Sequence, residues 1–86
     1  IEVTMMDSEG HRVYTDSSML YVSVENGQLL GLENGDLSDV TEYTAPYRKA
    51  HRGQLLIYVT GTPGTDSINV TVHGEHIKTT TISIPL

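Results

Sequence analysis

Three of the five Lys and Arg residues of this 86-residue chain stand in one short stretch, YTAPYRKAHRG, from Tyr43 to Gly53. They are Arg48, Lys49 and Arg52, with His51 among them and Tyr43 and Tyr47 on the flank. The chain as a whole is acidic, with a formal net charge of −6. A cationic island beside tyrosines supports two kinds of contact: binding an anion, or stacking a ring on a sugar. The structural alternative is that the cations pair with the acidic loop just before them and hold it against the fold. Exposed pairs of that sort contribute about 0–1 kcal/mol each, so the role would be geometric more than energetic. As an extended segment, Tyr47, Lys49 and His51 share one face and Arg48 and Ala50 take the other. Cations on both faces argue for an edge, where Lys also discourages edge-to-edge aggregation. Tyr43, Tyr47, Arg48, Lys49, His51 and Arg52 are therefore the candidate contacts, to a neighbouring domain or to glycan.

Other spacings carry less chemistry. His73-Gly-Glu-His76 brings two imidazoles together only if the chain turns there. A zinc site needs three or four ligands, and the two-histidine catalytic motif sits on a helix. A solvated hairpin turn explains this segment better. Asn69-Val70-Thr71 fits a glycosylation sequon but lies inside a strand pattern, where it reads as outward polar groups flanking an apolar Val70. Glu25, Glu33, Asp36, Asp39 and Glu42 are turn formers and solubilising charges. A glycosidase pair would need a set separation across a cleft, and the Asp36–Glu42 spacing matches no EF-hand loop. Neither a Gly-x-Ser-x-Gly elbow nor a Gly-rich phosphate loop occurs. No catalytic residue, cofactor or metal site is assigned.

The elements that position these residues are strands. No helical period persists, and short alternating runs recur between Gly, Asn, Asp, Pro and Ser. Met19–Glu25 puts Leu20, Val22 and Val24 on one face. Asn26-Gly27 between two apolar runs predicts a hairpin into Leu29–Leu32. Leu55–Val59 is apolar on both faces, which predicts a central strand covered on both sides. Ile68, Val70 and Val72 alternate with polar residues, and Ile77–Ile84 closes the pattern after a turn at Gly74–His76. About seven short strands predict an all-β fold, an immunoglobulin-like β-sandwich of Greek-key type. The expected inward set is Val3, Leu20, Val22, Val24, Leu30, Leu32, Leu56, Tyr58, Ile68, Val70, Val72, Ile82 and Ile84. A chain of this length suits one domain over residues 1–86, burying roughly 60–65% of its unfolded surface. It opens at Ile1 directly into a strand pattern and reads as a piece of a longer protein. It has no cysteine, so neither a disulfide nor a thiolate site supports it. No apolar run approaches a membrane span, and the acidic balance argues against nucleic acid as a partner.

Two segments carry a resemblance. VSVENGQLLGLENGD, from Val22 to Asp36, and YTAPYRKAHRGQLLIYV, from Tyr43 to Val59, resemble a C-terminal Ig-like domain of glycoside hydrolase family 2, the bacterial β-galactosidases and their relatives. Asn34, Gly35, Asp36, Ala45, Arg48, Ala50 and Gly53 match its pattern. His51 stands where that pattern has an aromatic residue, and Asn26 and Gln28 replace part of a Gly-rich turn. The resemblance implies a parent with a sugar-binding jelly roll, Ig-like spacers and a (β/α)₈ barrel holding two catalytic glutamates, none of them in this chain. It further implies an accessory role beside other domains of the same polypeptide, and a periplasmic or extracellular location. Two alternatives share the fold: a carbohydrate-binding module and an adhesin repeat of bacterial cell surfaces.

Overall fold

Branched and hydroxylated residues in short alternating runs give seven strands. They are β1 (Glu2–Thr4), β2 (Met19–Glu25), β3 (Gly27–Glu33), β4 (Tyr47–Lys49), β5 (Gln54–Gly61), β6 (Ser67–Gly74) and β7 (Ile77–Pro85). The structure is a computed structural model and describes residues 1–6, 9–13, 18–36, 38–39, 41, 45–75 and 77–85. The strands form two antiparallel sheets, β1-β5-β3 and β4-β2-β6-β7. Leu20, Val22, Ile68, Val70 and Val72 from the larger sheet meet Leu32, Leu55 and Ile57 from the smaller one in a single apolar core. This is the immunoglobulin-like sandwich that the turn spacing predicts.

The chain changes sheet at each of the first five connections between these strands and stays in one sheet only from β6 to β7. That corrects the expectation at Asn26-Gly27. β2 pairs with β4 and β6, and β3 pairs with β5, so the two runs around Asn26 are not hairpin partners. Asn26 takes the left-handed conformation, φ 64°, which Asn tolerates better than most residues. Gly27 answers a different need. A Cβ there would lie 2.6 Å from the Thr60 carbonyl oxygen, so the corner can press against the end of β5 only without a side chain. Thr62 N–H then donates to the Asn26 carbonyl at 2.9 Å.

The inward set also needs correction on two strands. On β5, Leu55 and Ile57 are buried, whereas Leu56 and Tyr58 point outward. The alternation cannot choose a face when both are apolar. The register does, because Val3 sits opposite Leu55 and Glu2 opposite Leu56, and a slip of one residue would exchange the faces. On β3 a bulge between Leu29 and Gly31 turns Leu30 out and keeps Leu32 in. Ile82 and Ile84 do lie opposite the core residues Val70 and Ile68. β7 is, however, the fourth strand over a three-stranded sheet, and Ile82 stays 38% exposed. The two leucines of β5 should therefore differ sharply. Leu55→Ala is expected to cost about 2–5 kcal/mol through lost burial and a cavity, and Leu56→Ala about 0.5 kcal/mol in the isolated domain. Urea denaturation of both variants checks this; equal losses would contradict the register.

Candidate contact site

The cationic segment begins at β4, zipped onto β2. Tyr47, Arg48 and Lys49 lie opposite Tyr21, Leu20 and Met19. Val22 N–H donates to the Pro46 carbonyl and Ala50 N–H to the Ser18 carbonyl, each at 2.9 Å. Strand alternation then sorts the side chains. Tyr47 and Lys49 are exposed, while Arg48 and Ala50 are buried, Arg48 to 6% exposure. Past Ala50 the chain reverses over His51–Gln54. Their backbones exchange hydrogen bonds of 2.9 and 3.0 Å, and both central residues have positive φ, 53° at Arg52 and 77° at Gly53. That is the signature of a type I′ turn.

Arg48 is the hub. Its Nη2 donates to the Thr41 carbonyl at 2.7 Å, and Nη1 lies 3.4 Å from Asp39 Oδ2. Asn34, itself buried, donates from Nδ2 to the same Asp39 oxygen at 2.6 Å and to the Lys49 carbonyl at 2.9 Å. Its Oδ1 accepts the Asp36 amide at 2.9 Å. Asp39 Oδ1 accepts the Thr41 amide, and Asp36 Oδ1 accepts the amide and hydroxyl of Ser38. A ladder of side-chain-to-backbone turns thus shapes this loop, and Asn34 and Arg48 fasten it to β4. Among the described residues, Arg48 Nε is buried without a hydrogen-bond partner.

These partners set the protonation of both loop aspartates. The Thr41 hydroxyl and amide, helped by Asn34 and Arg48, hold the Asp39 carboxyl down at about 2, against an ordinary 3.8. The Ser38 hydroxyl and amide hold Asp36 below its ordinary value, and His51, 3.9 Å away, adds to this when charged. Hydrogen bonds to the charged form produce such shifts. A general acid needs the opposite one, a carboxyl kept protonated near neutral pH. The sign for stability follows by linkage. Asp39 stabilises the fold fully above its unfolded value near 4, and that contribution disappears as pH falls through about 2. Asp39→Asn should accordingly be less stable than the parent at pH 7 and converge with it toward pH 2. Denaturant midpoints at successive pH values measure this; a constant gap would refute it.

The candidate residues do not converge on one surface. Tyr47 and Lys49 belong to the outer face of the four-stranded sheet, Arg48 lies inside, and His51 and Arg52 sit at the turn. Tyr43 lies outside the described residues. At the turn, Arg12 Nε and Nη2 donate to the Arg52 carbonyl at 3.2 and 2.8 Å. On the outer face Tyr47 joins a row of rings absent from the sequence reading. Its ring lies 6.1 Å from Tyr21, whose other neighbour is His73, stacked at 5.3 Å with a 16° interplanar angle. His73 is thus paired with an aromatic ring; His76 lies outside the described residues. No group of three or more His, Asp or Glu placed to hold a metal occurs among the described residues. Asn34 and Thr41 are the partners the sequence reading missed, although Asn34-Gly35-Asp36 stood out as a signature.

Asn34 of the first signature segment and Arg48 of the second therefore meet at Asp39, on the loop between them. Residues 1–83 match the family model of the glycoside hydrolase family 2 C-terminal domain 5. The chain belongs to this family. Solved structures agree on the fold of the C-terminal domain 5. A β-glycosidase from Bacteroides vulgatus superposes with a TM-score of 0.93 at 23% identity, over 99% of this chain and 11% of that one. A family 2 glycosyl hydrolase from Bacteroides cellulosilyticus DSM 14838 gives 0.91 at 24% identity, over 96% of this chain and 12% of that one. The chain thus spans about a tenth of the length of the glycosidases it matches. No curated protein sequence matches it. No helix among the described residues is long and apolar enough to cross a membrane.

Proposed function

We propose that this C-terminal domain 5 is a non-catalytic accessory domain, contributing domain packing to a β-galactosidase-like family 2 glycoside hydrolase. The observation that carries the reading is the fate of the charged segment. Asp39 joins Arg48 to Asn34 inside the domain, and the three are not presented to a substrate. The lowered aspartate values and the family match support it further. Export to the periplasm or the cell exterior is part of the same proposal. The test is hydrolysis of nitrophenyl glycosides. The full-length polypeptide should turn them over and the purified domain should not, and measurable turnover by the domain ends the reading.

A carbohydrate-binding role is the second reading, and the exposed rings of Tyr47 and Tyr21 favour it. Against it, Tyr21 and His73 stack on each other, leaving less ring face for a sugar. Chemical-shift titration with galactosides and polysaccharides decides between the two. Shifts at Tyr21 and Tyr47 that saturate at millimolar sugar would favour binding, and their absence the accessory role.

A further inference from the structure

The two sheets differ on their outer faces. Beside its exposed Tyr21 and Tyr47 rings the four-stranded sheet shows water a polar pattern: Ser23, Thr71 and Thr81 lie abreast, with the Thr71 and Thr81 hydroxyls 3.0 Å apart. The three-stranded sheet does not. Leu30, Leu56 and Tyr58 project from it, 48%, 36% and 44% exposed. Tyr58 lies opposite Gly31. A strand with one wet face alternates, and a run apolar on both faces belongs to a strand covered on both sides. β5 has the second pattern, yet Leu55 and Ile57 are buried while Leu56 and Tyr58 stay partly exposed. Across the sheet, Leu56 is flanked by Glu2 on β1 and Glu33 on β3. An apolar centre with an acidic rim is the anatomy of a docking patch, and its complement is an apolar surface bordered by Lys or Arg.

We infer that the outer face of β1-β5-β3, centred on Leu56 and Tyr58, docks against another domain of the same polypeptide, through an apolar patch ringed by cations. The inference rests on the accessory reading above. The occupant follows from length and charge: the matched glycosidases carry about nine-tenths of their chain outside this domain, and a second copy would set acidic rim against acidic rim.

Hydroxyl-radical footprinting of the full-length polypeptide tests it. The domain carries its own reference, because Tyr58, Tyr21 and Tyr47 are almost equally exposed at 44%, 45% and 42%. Tyr58 should be oxidised several-fold more slowly than Tyr21 and Tyr47, independently of protein concentration. Leu56→Glu should raise the Tyr58 rate to theirs while amide exchange in β6 stays unchanged. Equal rates in the parent protein overturn the docking face and leave the accessory reading intact. Protection that grows with protein concentration assigns the face to a second copy and overturns the inference. Protection that Leu56→Glu leaves in place arises within the domain, with the same consequence. Protection that appears only with added glycan overturns both this inference and the accessory reading.

Discussion

Gly53→Ala should cost more stability than a methyl added at Gly10, Gly27, Gly35, Gly64 or Gly74, about 3–5 kcal/mol. Two effects combine. The backbone at Gly53 has φ +77°, where a Cβ costs roughly 1–2 kcal/mol. That Cβ would also run into the carbonyl of Val13. Val13 cannot simply retreat, because its amide donates to the Met5 carbonyl at 2.8 Å and the Met5 amide donates to the Gly53 carbonyl at 2.7 Å. The clash therefore closes on a ring of three backbone segments, and relief means breaking one of those bonds. Gly35 provides the control, with the same φ of +77° and nothing within 4 Å of its built Cβ. Gly35→Ala should cost only the conformational part, about 1–2 kcal/mol. Against a total of roughly 4–13 kcal/mol for a chain of this size, the first substitution threatens folding and the second does not. Thermal and urea denaturation of the pair give the answer, and similar losses would show that the contact with Val13 yields.

The second large effect belongs to Arg48. Removing one partner of a buried ion pair leaves the other uncompensated, which typically costs about 3–5 kcal/mol. Arg48→Met keeps most of the aliphatic stem and removes the guanidinium, so it isolates the polar part from the packing. The loss should fall in that range, since Asp39 loses its cation and the Thr41 carbonyl its donor. Arg48→Met combined with Asp39→Asn should cost less than the sum of the two single changes, because a neutral pair leaves no stranded charge. A single-variant loss within about 0.5 kcal/mol of the parent would place Arg48 among surface residues and contradict its burial. Hydrogen exchange at the Asp36, Ser38 and Asp39 amides should rise selectively in Arg48→Met, locating the effect in the loop.

Strict alternation is what made part of this fold legible. On β6 every second residue is polar, and on β2 Ser23 and Glu25 alternate with Val22 and Val24, so the pattern alone turns Leu20, Val22, Ile68, Val70 and Val72 inward. β5 defeated the same reasoning, since Leu55, Leu56, Ile57 and Tyr58 offer two apolar faces and only the pairing with β1 selects one. The Asn26-Gly27 signal marked the break between two strands, β2 and β3, although not a hairpin. What local residues could not encode is whether the chain returns beside itself or crosses to the facing sheet, because that depends on Thr60 and the distant end of β5. At the candidate site, the grouping of Arg48 with Ala50 on one face was visible in the spacing. Its burial was not, because the partners Asn34, Asp39 and Thr41 come from a loop whose turns are built by side-chain hydrogen bonds and leave no periodic trace.

The order in which the chain visits the two sheets bears on how the domain is made. Tyr21 pairs with Tyr47 and His73, so this inner strand of the larger sheet waits for partners about twenty-five and fifty residues further on. At about 5–20 residues per second of synthesis, β2 stays unpaired for seconds after it leaves the ribosome. Its Leu20, Val22 and Val24 face the aqueous phase throughout that interval. The β6–β7 hairpin, the sole pairing between successive strands among the described residues, is the longest local structure available to start assembly, and it arrives last. Sandwiches dominated by such distant pairings fold in milliseconds to seconds, so here translation, not folding, sets the time for which the apolar strands of this domain need protection.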